Sequence, residues 1–403
     1  MTRYAWNAIG LAEVSNLLIN PPSMVQLGYT PHPLGLLFLC AMDDFSDVID
    51  LALDPGQSIE QVMNTRHIEI VGVPIYTPGR KASLRILELA KRHGAYTVAG
   101  GPHVGIMHKQ LLDNYPFIDA CVSGDGEACW KMFTTYKGSV NDGLRKVWTG
   151  TIDDLDTLPL PAYERINHRG YPARAGVISY HRDIDLTREP RYSIVFGRGC
   201  DGRCNFCSTW WVHGRYRHHG LAWMDRHLRQ LWQIGARHLC FQDDCLTVDR
   251  EASLGLFKLM ENYGFSCFGS TRVDHMDDEL AQAMAKAGFS EVSFGIESGS
   301  QKMLELMRKD TDLSKAFYAR DCMRRAGIMF TALMIESYPG ETDEMRMETR
   351  DFLNKLQPDG YGSLGHTMIL PGTQLYRQMR NNGLISDDFW LGDEPYYIYK
   401  GGL

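Results

Sequence analysis

The 403-residue chain has no apolar run of membrane-spanning length, and its start, Met1-Thr-Arg-Tyr-Ala-Trp6, has no basic region followed by a long apolar core. Neither a membrane span nor a secretory signal is read from it, and the expected location is the cytoplasm. Blocks of like charge are also absent. With 42 Lys and Arg against 49 Asp and Glu the net charge is −7, so nothing offers a phosphate backbone the basic face it needs, and neither nucleic acid nor a membrane is an expected partner. Hydrophobic residues at 44% and charged residues at 23% are globular values, which excludes disordered and fibrous classes. The length exceeds what one core ordinarily supports, so more than one domain is expected.

The ten cysteines are too scattered for a disulfide framework. Cys40, Cys121, Cys129, Cys240, Cys245, Cys267 and Cys322 fall mostly in apolar strand or helix patterns, as small buried hydrophobes do. The other three stand in Arg198-Gly-Cys-Asp-Gly-Arg-Cys-Asn-Phe-Cys207. The spacing C-x3-C-x2-C lets one loop fold Cys200, Cys204 and Cys207 onto three corners of an iron–sulfur cluster. Such a cluster normally takes four thiolates, so one iron is left open. Gly197, Gly199 and Gly202 let the backbone bend around a bulky core, and Phe206 fills the gap between the last two thiols. Zinc is the nearest rival, but it wants paired ligand spacings, and no second C-x2-C follows nearby.

Strands are read at Leu17–Ile19, Val48–Leu53, Ile68–Val73, Tyr96–Ala99 and Ala120–Val122, with helices near Leu34–Met42 and Arg80–His93. Apolar strands alternating with helices predict a parallel sheet covered on both faces. In such a sheet ligands bind beyond the strand C-terminal ends, where the loops Asn20-Pro-Pro22, Tyr29-Thr-Pro-His-Pro33, Thr77-Pro-Gly79, Gly100-Gly-Pro-His103 and Gly124-Asp-Gly-Glu127 stand. Thr151–Pro161, with Asp153, Asp154 and Asp156, reads as an ordered linker. From Tyr192 six strand-plus-helix units follow, with strands at Tyr192–Phe196, His238–Gln242, Phe265–Ser270, Glu291–Gly295, Ile328–Ile335 and Gly360–Met368. Asp243, Asp244, Ser270, Arg272, Glu297, Ser298 and Glu336 fall at strand ends, where barrels of this kind gather their chemistry.

At these residues the chain resembles the radical S-adenosylmethionine (SAM) enzymes, through Arg-Gly-Cys-x3-Cys-x-Phe-Cys, Gly295-Ile-Glu-Ser-Gly-Ser300, Pro339-Gly-Glu-Thr342 and Leu370-Pro-Gly-Thr-Gln-Leu-Tyr376. Gly-Gly-Pro-His and the Gly-x-Gly-Glu end resemble the cobalamin-binding domain that precedes many of them. The resemblance implies an α/β chain with an N-terminal Rossmann-like, flavodoxin-type cobalamin domain over 1–140, a linker over 141–191, a partial (β/α)6 radical SAM barrel over 192–370 and a tail over 371–403. Its implied cofactors are a 4Fe–4S cluster on Cys200, Cys204 and Cys207, SAM, and cobalamin. The Asp-x-His-x-x-Gly run that supplies a histidine to the lower face of cobalt is missing and His32 has the wrong neighbours, so no histidine lower ligand is expected.

The same resemblance assigns the methionyl ammonium of SAM to Asp243 and Asp244, its carboxylate to Arg272, its ribose to Ser270 or Glu297, with Ser298 in the same motif, and the adenine to Phe206 and Pro339. It assigns cobalamin to the rim of Tyr29, Pro31, Thr77, Gly100, Gly101, His103, Gly124 and Glu127. Ile335-Glu-Ser-Tyr-Pro-Gly340 departs from the usual small turn, which makes Glu336 and Tyr338 candidate catalytic groups, beside packing or hydrogen bonding for each. Cys245 is read either as a hydrogen-atom donor or as a small buried residue. Arg215 and Arg217 are read as meeting an anion or as solvated surface. The commonest reaction for this pairing is methyl transfer to an unactivated carbon of a small molecule, after reductive cleavage of SAM to a 5′-deoxyadenosyl radical, with flavodoxin or ferredoxin as electron donor. Cyclisation, ring contraction or another rearrangement on the same scaffold, and a non-catalytic corrinoid or iron–sulfur carrier, are the alternatives.

Overall fold

Leu17, Leu18 and Ile19 are wholly buried, and the strand they form, β1 (Asn16–Asn20), lies inside the first of two six-stranded sheets. The computed structural model describes residues 15–22, 30–135, 146–171 and 190–399. These fall into two compact units. One is built on Pro33–Thr151 and Pro159–Asn167 with β1; the other is built on Ile152–Leu158 and the chain from His168, with Pro31 and His32.

In the first unit β2 (Ser46–Asp50), β3 (Ile70–Pro74), β4 (Tyr96–Gly100), β5 (Ala120–Gly124) and β6 (Lys146–Gly150) join β1 in the order β2-β1-β3-β4-β5-β6. All pairs are parallel. The order reverses between β1 and β3, the topological switch of a flavodoxin-type sheet. Helix Arg80–Arg92 buries Leu84, Leu87 and Ala90, the face its spacing predicts. The second strand differs from expectation. It starts at Ser46 and stops at Asp50, because the Asp50 carboxylate accepts the N–H groups of Ala52 and Leu53 at 2.9 and 3.3 Å and turns the chain. β6 is not legible in the sequence; it is a short edge strand of partly and fully exposed residues, without an apolar run.

In the second unit β7 (Arg191–Ile194) is followed by the short antiparallel pair β8 (Gly197–Arg198) and β9 (Arg217–His218). Then come β10 (His238–Phe241), β11 (Ser266–Thr271), β12 (Phe289–Glu297), β13 (Met329–Glu336) and β14 (Gly360–His366). The sheet order β14-β13-β12-β11-β10-β7 is parallel throughout, each strand beside the next in sequence, as in a partial barrel of six βα units. The outer helices start where their caps dictate. Asp249, Asp277 and Thr342 accept the N–H of Ala252, Leu280 and Met345. Phe294 and Phe330 stack in the core with centroids 4.5 Å apart. The strand expected to run to Met368 ends at His366. The tail forms helix Gln374–Asn381, with Trp390 buried against it and donating to the Tyr376 hydroxyl at 3.2 Å. Among the described residues no helix is long and apolar enough to cross a membrane.

Candidate active site

The cysteine loop leaves β8 through Gly199, whose φ of +97° and whose approach to the Arg215 carbonyl (an added Cβ would lie 3.3 Å from it) admit only glycine readily. Cys200, Cys204 and Cys207 are partly buried and free of disulfides. Gly202 donates its N–H to the Cys200 sulfur at 3.3 Å. A hydrogen bond from Cys245, aided by that N–H against the cost of burial, holds the Cys200 thiol down at about 7. Burial pushes the Cys204 thiol up, opposed by the Lys309 and Arg272 charges, and pushes the Cys207 thiol up, opposed by Thr209. Three thiols thus share one loop, with the Arg272 charge acting on Cys200 and Cys204 and the Lys309 charge on Cys204.

The strand-end residues are brought to the same face, but several already have partners. Asp243, 5% exposed, accepts the N–H of Phe196 at 3.1 Å and of Gly197 at 2.6 Å, tying the end of β10 to the start of the cysteine loop. Burial pushes its carboxyl up to about 7 despite these bonds. Asp244 accepts from the Thr209 hydroxyl at 2.9 Å. Arg272 grips Asp274 through Nε and Nη2 at 3.0 and 2.7 Å and lies against Gly202, where a Cβ would sit 2.7 Å from Nη1. Glu297, at φ +67°, takes Lys309 Nζ at 2.9 Å. The pair lies over Gly295, whose added Cβ would meet it at 2.6 Å. Ser298 bonds Thr349 at 3.0 Å and receives the Ser300 N–H at 3.1 Å, so its hydroxyl is engaged in the turn. Ser270, the last residue but one of β11, is partly buried, and Pro339 stands partly buried in the turn after β13.

Of the candidate catalytic groups, Tyr338 is 3% exposed, its hydroxyl donates to Asn205 Oδ1, and its ring meets Phe206 edge-on at 6.2 Å. It packs the cysteine loop against the β13 turn. Glu336 is exposed and receives the Tyr361 hydroxyl at 3.4 Å. Cys245 is 1% exposed, with Thr271 Oγ1 at 3.4 Å and His275 Nδ1 at 3.5 Å. His275 Nε2 reaches Asp201 at 3.0 Å, and the ligand atoms of Cys200, Asp201 and Cys245 all lie within 4.8 Å of one another. Arg215 pairs with Asp153 at 2.6 Å, and Arg217 donates to the Ile152 and His213 carbonyls. Sequence reasoning missed Asn205, His275 and Lys309. A lone polar residue in a connecting segment carries no periodic signal.

In the first unit Gly100 and Gly124 end β4 and β5, and Thr77, Gly101, His103 and Glu127 lie just beyond the ends of β3, β4 and β5, on one rim. At Gly100 an added Cβ would meet nothing within 4 Å, so bare backbone faces open space. Gly101 and Gly124 have φ of +89° and +90°, and a Cβ at Gly124 would lie 2.2 Å from the Gly150 carbonyl. His103 is turned inward: it is 1% exposed, its Nδ1 is 3.1 Å from Thr77 Oγ1, and burial lowers its pKa to about 3. Glu127 is buried in the first turn of helix Glu127–Thr135. Pro31 and His32 group with the second unit, where His32 stacks on Tyr171 at 4.1 Å. Tyr29 lies outside the described residues.

Residues 194–353 match the Radical SAM superfamily, and residues 23–130 match the B12 binding domain. Over these two stretches the chain carries a radical SAM domain and a B12-binding domain. It is 28% identical to an uncharacterized methyltransferase of Pyrococcus horikoshii, over 93% of this chain and 85% of that one. It is 26% identical to the anaerobic magnesium-protoporphyrin IX monomethyl ester cyclase of Rubrivivax gelatinosus, over 82% of this chain and 60% of that one. The fold is shared with the radical S-adenosylmethionine methyltransferase TsrM from Kitasatospora setae, at a TM-score of 0.70 and 18% identity, covering 91% of this chain and 78% of that one.

A radical SAM enzyme needs a 4Fe–4S cluster and SAM, and a B12-binding domain needs cobalamin. The residues fit both. The Arg272 guanidinium acts on Cys200 and Cys204 and the Lys309 ammonium on Cys204, which offsets part of the charge of bound thiolates. The rim at Gly100 is free of side chains, so a flat macrocycle meets backbone alone there.

Proposed function

We propose that this radical SAM enzyme transfers a methyl group to an unactivated carbon of a small molecule, with a small electron-carrier protein as its reductant. The observation that carries the reading is the pairing of the two domain matches with alignment to a methyltransferase over 93% of the chain. When bound, the cluster supplies the electron that cleaves SAM and the corrinoid carries the methyl group. Cys200, Cys204 and Cys207 hold iron, and Asp243 keeps the loop that bears them in register with β10. Asp244 and Arg272, flanking the loop with opposite charge, bind the two charged ends of the methionyl group. The Glu297–Lys309 pair and Phe206 set the floor on which adenosine lies. Gly100, Gly101 and Gly124 would admit the corrinoid, and His103, turned inward onto Thr77, would not reach out to it.

A second reading, ring formation, is favoured by the cyclase relative. Methyl-labelled SAM separates the two. Anaerobically reconstituted protein is expected to retain corrinoid, to form 5′-deoxyadenosine on reduction with dithionite, and to pass the label into product. Label remaining wholly in methionine would favour ring formation. Absence of corrinoid after reconstitution with hydroxocobalamin would sink the methyl-transfer reading.

A further inference from the structure

Trp210 and Trp211 follow shortly after Cys207, and each is covered by an arginine from a different segment. Arg203, inside the cysteine loop, lies over Trp210 with its guanidinium carbon 3.4 Å from the ring centroid. Arg377, on helix Gln374–Asn381, lies over Trp211 at 4.1 Å. A third guanidinium, Arg308, donates to Gln374 on the same helix at 2.9 Å. The three segments form one surface, since the Leu375 N–H donates to the Asn205 carbonyl at 2.9 Å and the Asn205 N–H to the Met307 carbonyl at 3.0 Å.

All three arginines are exposed, and so is Trp211 at 46%. Among the described residues none of the three is ion-paired, whereas Arg92, Arg229, Arg250, Arg325 and Arg346 all hold carboxylates. Stacking on indole fixes the plane of the Arg203 and Arg377 guanidinium groups, and each spends one N–H on a neighbouring carbonyl. The rest of the fork is left for a carboxylate. Glu305 and Asp310, both exposed on the segment that bears Arg308, offset part of this charge.

We propose that this surface docks a small electron-carrier protein with an acidic rim around its redox centre. The proposal rests on the radical SAM reading, which requires an electron for each SAM cleaved. Three features select this occupant. The cations sit on the cysteine loop itself and on the two segments bonded to it, so a protein bound there lies beside the loop that bears the thiols. The chain carries a net charge of −7 and repels an acidic partner elsewhere, which leaves steering to a local positive patch. Finally, the cations come one from each segment around an exposed indole and form no continuous groove, which suits a carboxylate rim better than a polyanion backbone.

Flavodoxin is the probe. With reconstituted full-length protein at low ionic strength, Arg308→Glu/Arg377→Glu is expected to lower kcat/KM for flavodoxin-driven 5′-deoxyadenosine formation about tenfold or more, the lower end of electrostatic steering effects. Dithionite-driven formation should stay at the wild-type rate. Added salt should narrow the gap between variant and wild type, and Arg377→Lys, which keeps the charge, should recover most of the rate. An unchanged flavodoxin-driven rate, or a parallel fall with dithionite, would overturn the proposal. A concentration-dependent dimer abolished by the same double variant would also overturn it, assigning the surface to a second copy. Flavodoxin binding is measured separately, without SAM. If wild type binds flavodoxin in an Arg377-dependent way yet dithionite yields no 5′-deoxyadenosine, the SAM-cleavage reading fails and the docking assignment stands.

Discussion

Replacing Lys309 by methionine isolates one buried charge and measures what holds the strand end under the proposed adenosine floor. Glu297 and Lys309 are 2.9 Å apart, with side chains 12% and 6% exposed. Burial works against the Lys309 ammonium, but the Glu297 and Cys204 charges outweigh it and raise its pKa. At an effective dielectric of about 20 the attraction at this distance is roughly 6 kcal/mol, much of it offset by the cost of desolvating both ions. The single variant keeps the cost and loses the attraction. Lys309→Met is therefore expected to destabilise the second unit by about 3–5 kcal/mol, the range for breaking a buried pair from one side. That is a large part of a total stability of about 5–15 kcal/mol. Glu297→Gln/Lys309→Met leaves no buried charge and should recover a good part of the loss. The assay is urea unfolding of the reduced apoprotein, comparing the transition of the second unit across the four members of the double-mutant cycle. A loss below about 1 kcal/mol in Lys309→Met, or a double variant no more stable than the single one, would refute the reasoning.

Two further outcomes follow from the same physics. Asp243, raised to about 7 against an ordinary value of 3.8, binds its proton more tightly in the folded state. Its contribution is thus fully present below pH about 4 and is lost as pH rises through about 7, up to roughly 4 kcal/mol in all. Urea midpoints of the apoprotein should accordingly fall between pH 5 and pH 8, and Asp243→Asn should flatten that dependence; an unchanged slope in the variant would assign it to other groups. Gly124→Ala should destabilise the first unit by about 2 kcal/mol or more, since φ is +90° and the new Cβ would lie 2.2 Å from the Gly150 carbonyl. Unfolding followed by far-UV circular dichroism checks this, and an unshifted transition would rule it out.

Much of the architecture was legible because it rests on local chemistry. Alternating apolar strands and helices specify parallel sheets, since a strand covered on both faces has to be apolar throughout. Three cysteines within one short glycine-bearing loop specify a metal-binding loop for the same local reason. The edges were harder to read. β6 has no apolar run, and β2 ends early because a single aspartate captures two N–H groups.

By itself, then, the sequence determined which segments become strands and helices and which loop bears the thiols, because hydrophobic period and residue spacing act along the chain. What the polar strand-end residues do was settled in three dimensions. Glu297 finds Lys309 across 12 positions and Tyr338 finds Asn205 across 133; Asp243 closes on the backbone of Phe196 and Gly197, and Cys245 joins Cys200 and His275. A buried polar group takes whatever partner the fold brings within hydrogen-bond reach, and no local pattern encodes that partner's distance along the chain.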